Sequence, residues 1–165
     1  MNQPIRQVAL AGLLALASAA TSAAVEVTFI QPEKFTDLPF TPWQRQQALD
    51  DIAGHFKDMG KTLPPGQDIT IEVLDIDLAG REEPNGFSAQ NIRVMREGPD
   101  WPRMLLRYSL TQNGQVLKSG EAQLSDKSYM NHIKTYPGDE RLRYEKQMID
   151  EWWQQTVGPT RPARK

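Results

Sequence analysis

Between Arg103 and Leu124 the chain alternates apolar and polar side chains on both sides of an Asn113-Gly114 pair. Met104, Leu106, Tyr108 and Leu110 share one parity, while Arg103, Arg107, Ser109 and Thr111 share the other, which is the period of a half-buried strand. Asn-Gly readily supplies the positive-φ positions of a two-residue hairpin turn, so a partner strand is expected from Gln115 to Leu124. An isolated hairpin with one apolar face is at best marginal in water, and that face needs a cover.

Two segments are periodic enough to provide it. Leu49, Ile52, Ala53, Phe56 and Met59 form the apolar stripe of an amphipathic helix, with Thr41 as its cap, Pro42 in its first position and Gly60 at its end. A second helix is predicted from about Asp139 to Val157, before Gly158-Pro159. Its broad apolar face holds Leu142, Ile149, Trp152 and Trp153, with Met148 at the flank, and Arg141 with Glu145 and Lys146 with Asp150 are spaced as i,i+4 pairs. Adjacent tryptophans point about 100° apart on a helix, which leaves one of them available to a groove or partner surface.

Further strands are read at Val25, Val27 and Phe29, at Ile69, Ile71 and Val73, and near Asn91 to Glu97, after a polar, turn-rich loop from Gly80 to Gln90. The order strand, helix, four strands, helix predicts an α+β fold: a mainly antiparallel sheet of about five strands with two helices packed on one face.

The first 24 residues read as a secretory signal peptide: Arg6, an apolar run from Val8 to Ala17, then small residues to Ala24. That run is shorter than the roughly 20 apolar residues needed to span a bilayer. Residues 25–159 then suit one domain, with 160–165 as a disordered basic tail. The sequence has no cysteine, so neither a disulfide nor an N-terminal lipid anchor is expected. No later segment reads as a membrane span, and a net charge of −2 offers nothing to nucleic acid. The expected location is the periplasm.

Asp75-Ile-Asp-Leu-Ala-Gly80 is the local oddity. Continuing the parity of Ile69, Ile71 and Val73 would bury Asp75 and Asp77, and unpaired carboxylates do not sit in a core. Either a bulge near Leu74 swaps the faces, giving Leu74, Ile76 and Leu78 to the interior, or the strand end projects into a pocket. Two carboxylates about 7 Å apart along a strand could hold a hard cation or act as an acid/base pair. They could equally accept backbone N–H and arginine bonds. Asp100-Trp101-Pro102 is a second candidate, either a turn with Trp over the sheet edge or an exposed ring that stacks on a sugar or peptide. His132 lies in a loop free for function, whereas His55 borders the first helix's apolar stripe and is expected to be structural. The histidines form no metal pattern.

Two near misses exclude familiar chemistry. Gly54 to Thr62 has the wrong spacing for a phosphate loop and lies at a helix C-terminus, where the dipole repels phosphate. Gly86-Phe-Ser88-Ala-Gln90 lacks the second glycine of a nucleophile elbow. No cofactor is expected.

Val25-x-Val27-x-Phe29, Phe35-Thr-Asp37, Asp75-Ile-Asp-Leu-Ala-Gly80, Asp100-Trp-Pro102, Tyr108-x-Leu110 and Leu142-x-Tyr-Glu-Lys146, taken in order, resemble the bacterial family known as domain of unknown function 3016. The resemblance implies an exported bacterial protein and supplies no catalytic residues. The expected function is a soluble periplasmic binding or accessory protein whose partner is an envelope protein, a peptide or a glycan. Its candidate ligand-binding residues are Asp75, Asp77, Asp100, Trp101 and His132. The alternative is a carboxylate- or metal-dependent hydrolase centred on Asp75 and Asp77, with Asp100 or Asp126 assisting.

Overall fold

A computed structural model describes residues 24–86, 91–96, 98–131 and 135–158. The signal-peptide reading, His132 and the basic tail lie outside the described residues.

Strand β1 (Val25–Phe29) is followed by a 3-10 turn at Pro32–Lys34 and helix α1 (Pro42–Gly60). Strands β2 (Gln67–Asp77), β3 (Arg81–Pro84), β4 (Asn91–Val94), β5 (Arg103–Gln112) and β6 (Gln115–Ser125) come next, and helix α2 (Arg143–Thr156) closes the fold. A four-stranded sheet has the order β1-β2-β5-β6, with β1 parallel to β2 and the other neighbours antiparallel. The expected single sheet of about five strands is therefore corrected. The third predicted strand leaves it, and as β4 it pairs with β3, from within the predicted loop, in a separate two-stranded ribbon. β3 (Arg-Glu-Glu-Pro) carries no period-2 apolar signal, so the partner that takes β4 out of the main sheet is invisible before the chain folds.

The hairpin forms as its turn demands, with Asn113 at φ 50° and Gly114 at φ 80°. Both helices pack on the face that carries Ile69, Ile71, Val73, Met104 and Leu106. Phe56 of α1 and Tyr108 of β5 both meet the Trp152 ring edge-on, at centroid distances of 6.2 and 5.4 Å. Burying such side chains contributes about 1.5–3 kcal/mol each, which is how a chain without disulfides is held together.

Several local expectations change. The hydroxyl of Thr41 meets the side chain of Gln44 and makes no side-chain cap bond to the helix backbone. Helix α2 starts at Arg143, later than the pattern suggested, because Leu142 sits at φ 54° and cannot continue a helix. Both Trp152 and Trp153 are buried, so neither ring is left on the surface. The i,i+4 pairs are replaced by longer-range ones: Arg141 reaches Asp51 at 3.6 Å, Lys146 meets Glu140, and Glu145 and Asp150 are used elsewhere.

Candidate functional site

The faces of β2 exchange at Leu74. Val73 opposes Leu106 and Asp75 opposes Leu105, which leaves Leu74 as the extra residue of a β-bulge. Leu74 itself is only half-buried, whereas Ile76 and Leu78 are fully buried. Asp75 and Asp77 are thereby turned to the face away from the helices.

Neither carboxylate is free. Asp75 accepts the backbone N–H of Thr36 through Oδ1 and the Thr36 hydroxyl through Oδ2, each at 2.7 Å. Asp77 accepts the Nε–H of Arg103 at 2.8 Å, and the same oxygen meets Nη2. The two flank a depression of about 370 Å³ lined also by Thr36, Arg103, Leu105 and Gln123. Among the described residues, no group of three or more His, Asp or Glu side chains could hold a metal ion.

Behind this depression the segment Asp75 to Gly80 is bonded at nearly every residue. The Ile76 carbonyl accepts the N–H of Asp37 at 3.0 Å, and the Ala79 N–H donates to Oε1 of Glu145 at 2.7 Å. The Gly80 N–H donates to the Asp100 carbonyl at 2.9 Å. Arg93 Nη1 donates to Asp37 Oδ2 at 2.6 Å and lies 3.4 and 3.3 Å from the carbonyls of Ala79 and Gly80. Gly80 has φ 75°, and a Cβ there would run into the Val94 carbonyl. Glu145 is almost completely buried in the first turn of α2. Burial pushes its carboxyl above the usual carboxylate range, against the opposing pull of the Ala79 N–H and the Arg93 charge.

The profile of a family described as a protein of unknown function (DUF3016) matches residues 23–155, from β1 almost to the end of α2. The chain belongs to the DUF3016 family. No curated protein and no solved structure matches it. In this DUF3016 chain, four of the segments that carried the resemblance meet at one place: Phe35-Thr-Asp37, Asp75 to Gly80, Asp100-Trp-Pro102 and Tyr144-Glu145.

Asp100 and Trp101 are therefore close to the acidic strand end, but their polar groups are engaged or covered. Asp100 lies 3.3 Å from Arg81 through its carboxylate. Trp101 is half-buried, with the Arg103 guanidinium 5.2 Å and the Lys127 ammonium 5.5 Å from its ring centroid. Asp126 is buried and accepts the Ser128 N–H at 3.0 Å, as a turn-forming aspartate does. The residues not singled out as a site from sequence are Asp37, Arg93, Arg103 and Glu145. Asp37 and Glu145 left a signal, since each sits in a segment that carried the resemblance, but the spacing of Glu145 from Arg141 suggested a surface pair.

The charges farther along the uncovered face are arranged more loosely. Arg107 Nη1 lies 3.1 Å from Glu72, and Arg107 Nε lies 3.6 Å from Glu121, with all three side chains about half exposed. They border a depression of about 500 Å³ with Thr70, Ser109 and Ser119. A third polar cluster ties the helices together on the other side: His55 Nε2 is 2.8 Å from Asp150 Oδ1, and the Tyr136 hydroxyl donates to Asp150 Oδ2 at 2.5 Å. Burial and then Asp150 raise the Tyr136 pKa, so its hydroxyl stays protonated, and His55 is structural as expected.

Proposed function

We propose that this chain is an exported binding or accessory module of the bacterial envelope that takes its ligand on the uncovered face of the β1-β2-β5-β6 sheet. The observation that carries the reading is that face itself. Both helices pack on the opposite side, while this side holds two shallow depressions, of about 500 and 370 Å³, lined by serine, threonine, arginine and carboxylates. Open surfaces that combine apolar area with hydroxyl and charged side chains suit a peptide, a glycan or a partner protein. Export rests on the N-terminal pattern of Arg6, the apolar run and Ala24. Among the described residues no helix is long and apolar enough to cross a membrane.

A hydrolase built on Asp75 and Asp77 is less well served by the geometry. A general base or a metal ligand needs a free lone pair aimed at the reacting atom or ion. Here one carboxylate anchors Thr36 and the other holds Arg103. If calcium, magnesium and zinc each leave Tm unchanged, the metal-dependent form of that alternative is removed.

Site-specific photo-crosslinking in cells tests the binding reading. A crosslinker at Ser109 or Ser119 is expected to capture a partner that one at Lys57, on exposed α1 surface, does not. Equal capture from all three positions would overturn it. Fractionation of the same cells tests the compartment, and recovery in the cytoplasmic fraction would refute export.

A further inference from the structure

The sheet ends at β6, and that edge differs from the edge at β1. β1 has five residues, whereas β6 runs from Gln115 to Ser125, and past a register shift at Leu117 its segment from Lys118 to Ser125 pairs with β5 without interruption. Among the described residues no backbone hydrogen bond reaches the outer side of β6. Long edges are normally guarded by proline, by charged side chains or by a covering element. β6 contains no proline, and of its two charged side chains Lys118 is turned away, with its ammonium donating to the Thr156 carbonyl at the end of α2 at 3.1 Å, which leaves Glu121 as the charge on this edge.

An unpaired row of N–H and C=O groups specifies its occupant chemically, because it is satisfied by another extended backbone. The side chains then decide which one. Glu121 projects from β6 onto the uncovered face, where it and Glu72 share the single guanidinium of Arg107. Ser119, two residues before Glu121 and on the same face, is small and leaves a shelf across which a long side chain from a neighbouring strand can reach these carboxylates. Pairing with a second copy would bring Glu121 toward its own symmetry mate in registers centred near it, and like charges across strands are unfavourable. A basic residue there completes the set of charges.

Resting on the binding reading above, we infer that the outer edge of β6 accepts an extended peptide by strand addition, with a Lys or Arg side chain of that peptide placed over Ser119 against Glu121.

Three synthetic peptides as long as β6 distinguish the outcomes. One alternates valine and threonine around a central lysine, the second has N-methyl groups on alternate backbone nitrogens, and the third carries glutamate in place of lysine. The full isotope-labelled chain is titrated with each, and amide exchange is followed by NMR. The lysine peptide is expected to protect β6 amides and to bind at least about tenfold more tightly than the N-methylated one, since strand addition depends on main-chain bonds. It is also expected to bind more tightly than the glutamate peptide, with that preference reversed in Glu121→Lys. Equal binding of the N-methylated peptide, no protection of β6, or an unchanged preference in Glu121→Lys would each overturn the inference. Dimerisation through β6 in ultracentrifugation, without peptide binding, would replace the peptide with a second copy. If the edge fails while the Ser109 and Ser119 crosslinkers still capture a partner, the binding reading stands. If that selective capture also fails, both fall.

Discussion

At the bulged end of β2 each carboxylate is held by a fixed partner: Asp75 by Thr36, Asp77 by Arg103 and Glu145 by the Ala79 N–H. Around Arg107, on the same sheet, Glu72 and Glu121 share one guanidinium, with all three side chains half in water. The first arrangement is a joint between the loop before α1, the sheet, the β3-β4 ribbon and α2. The second is a surface whose charges can be exchanged for a ligand's at little cost. A dense cluster of polar residues therefore marks where this chain is assembled, and the looser cluster is the one the proposed binding reading uses.

The contrast is open to direct attack. Gly80→Ala puts a side chain at φ 75° and against the Val94 carbonyl. It is expected to cost roughly 3 kcal/mol in urea unfolding, and a cost under about 1 kcal/mol would mean that the joint is soft. Asp75→Ala removes both bonds to Thr36. About 1–2 kcal/mol of stability should be lost, with the loop from Ile30 to Phe40 exchanging its amides faster.

Glu145 tests the joint through pH. Its folded-state pKa is raised by burial, so the folded protein binds more protons than the unfolded chain once the pH exceeds the ordinary glutamate value of 4.5. Its contribution to stability falls as pH rises from there to the folded pKa, and is level beyond it. Glu145→Gln keeps an acceptor for Ala79 and removes the titration. The variant should be more stable than the parent at neutral pH, with the difference vanishing below the ordinary value. A pH-independent difference in Tm would contradict the burial argument.

The smallest effect is expected on the other side of the comparison. Arg107→Ala breaks two half-exposed ion pairs and should change stability by no more than about 0.5 kcal/mol. The same substitution is expected to alter crosslinking from Ser109. If it destabilised the fold as much as Asp75→Ala does, the two regions would not differ in kind.

Much of this fold is legible along the chain. The hairpin at Asn113-Gly114, the stripe from Leu49 to Met59 and the terminal aromatic face each combine a period with a start or stop signal, and these local properties survive folding. The strand at β4 was legible but its pairing with β3 was not, since Arg81 to Pro84 has no apolar period to read. The odd parity of Asp75 and Asp77 announced that something had to give, and both a bulge and a projecting strand end satisfied it. Choosing the bulge depended on Ile76 and Leu78 finding room in the core.

Sequence alone determined the α+β class, the family to which the chain belongs and the two elements that cover the sheet, because apolar periodicity and turn chemistry act over a few neighbouring residues. Tertiary structure decided what the charges do. Arg103 lies 26 positions from Asp77, and Glu145 lies 66 positions from Ala79. Electrostatic partners are chosen by distance in space, and folding alone brings such residues within 3 Å of one another.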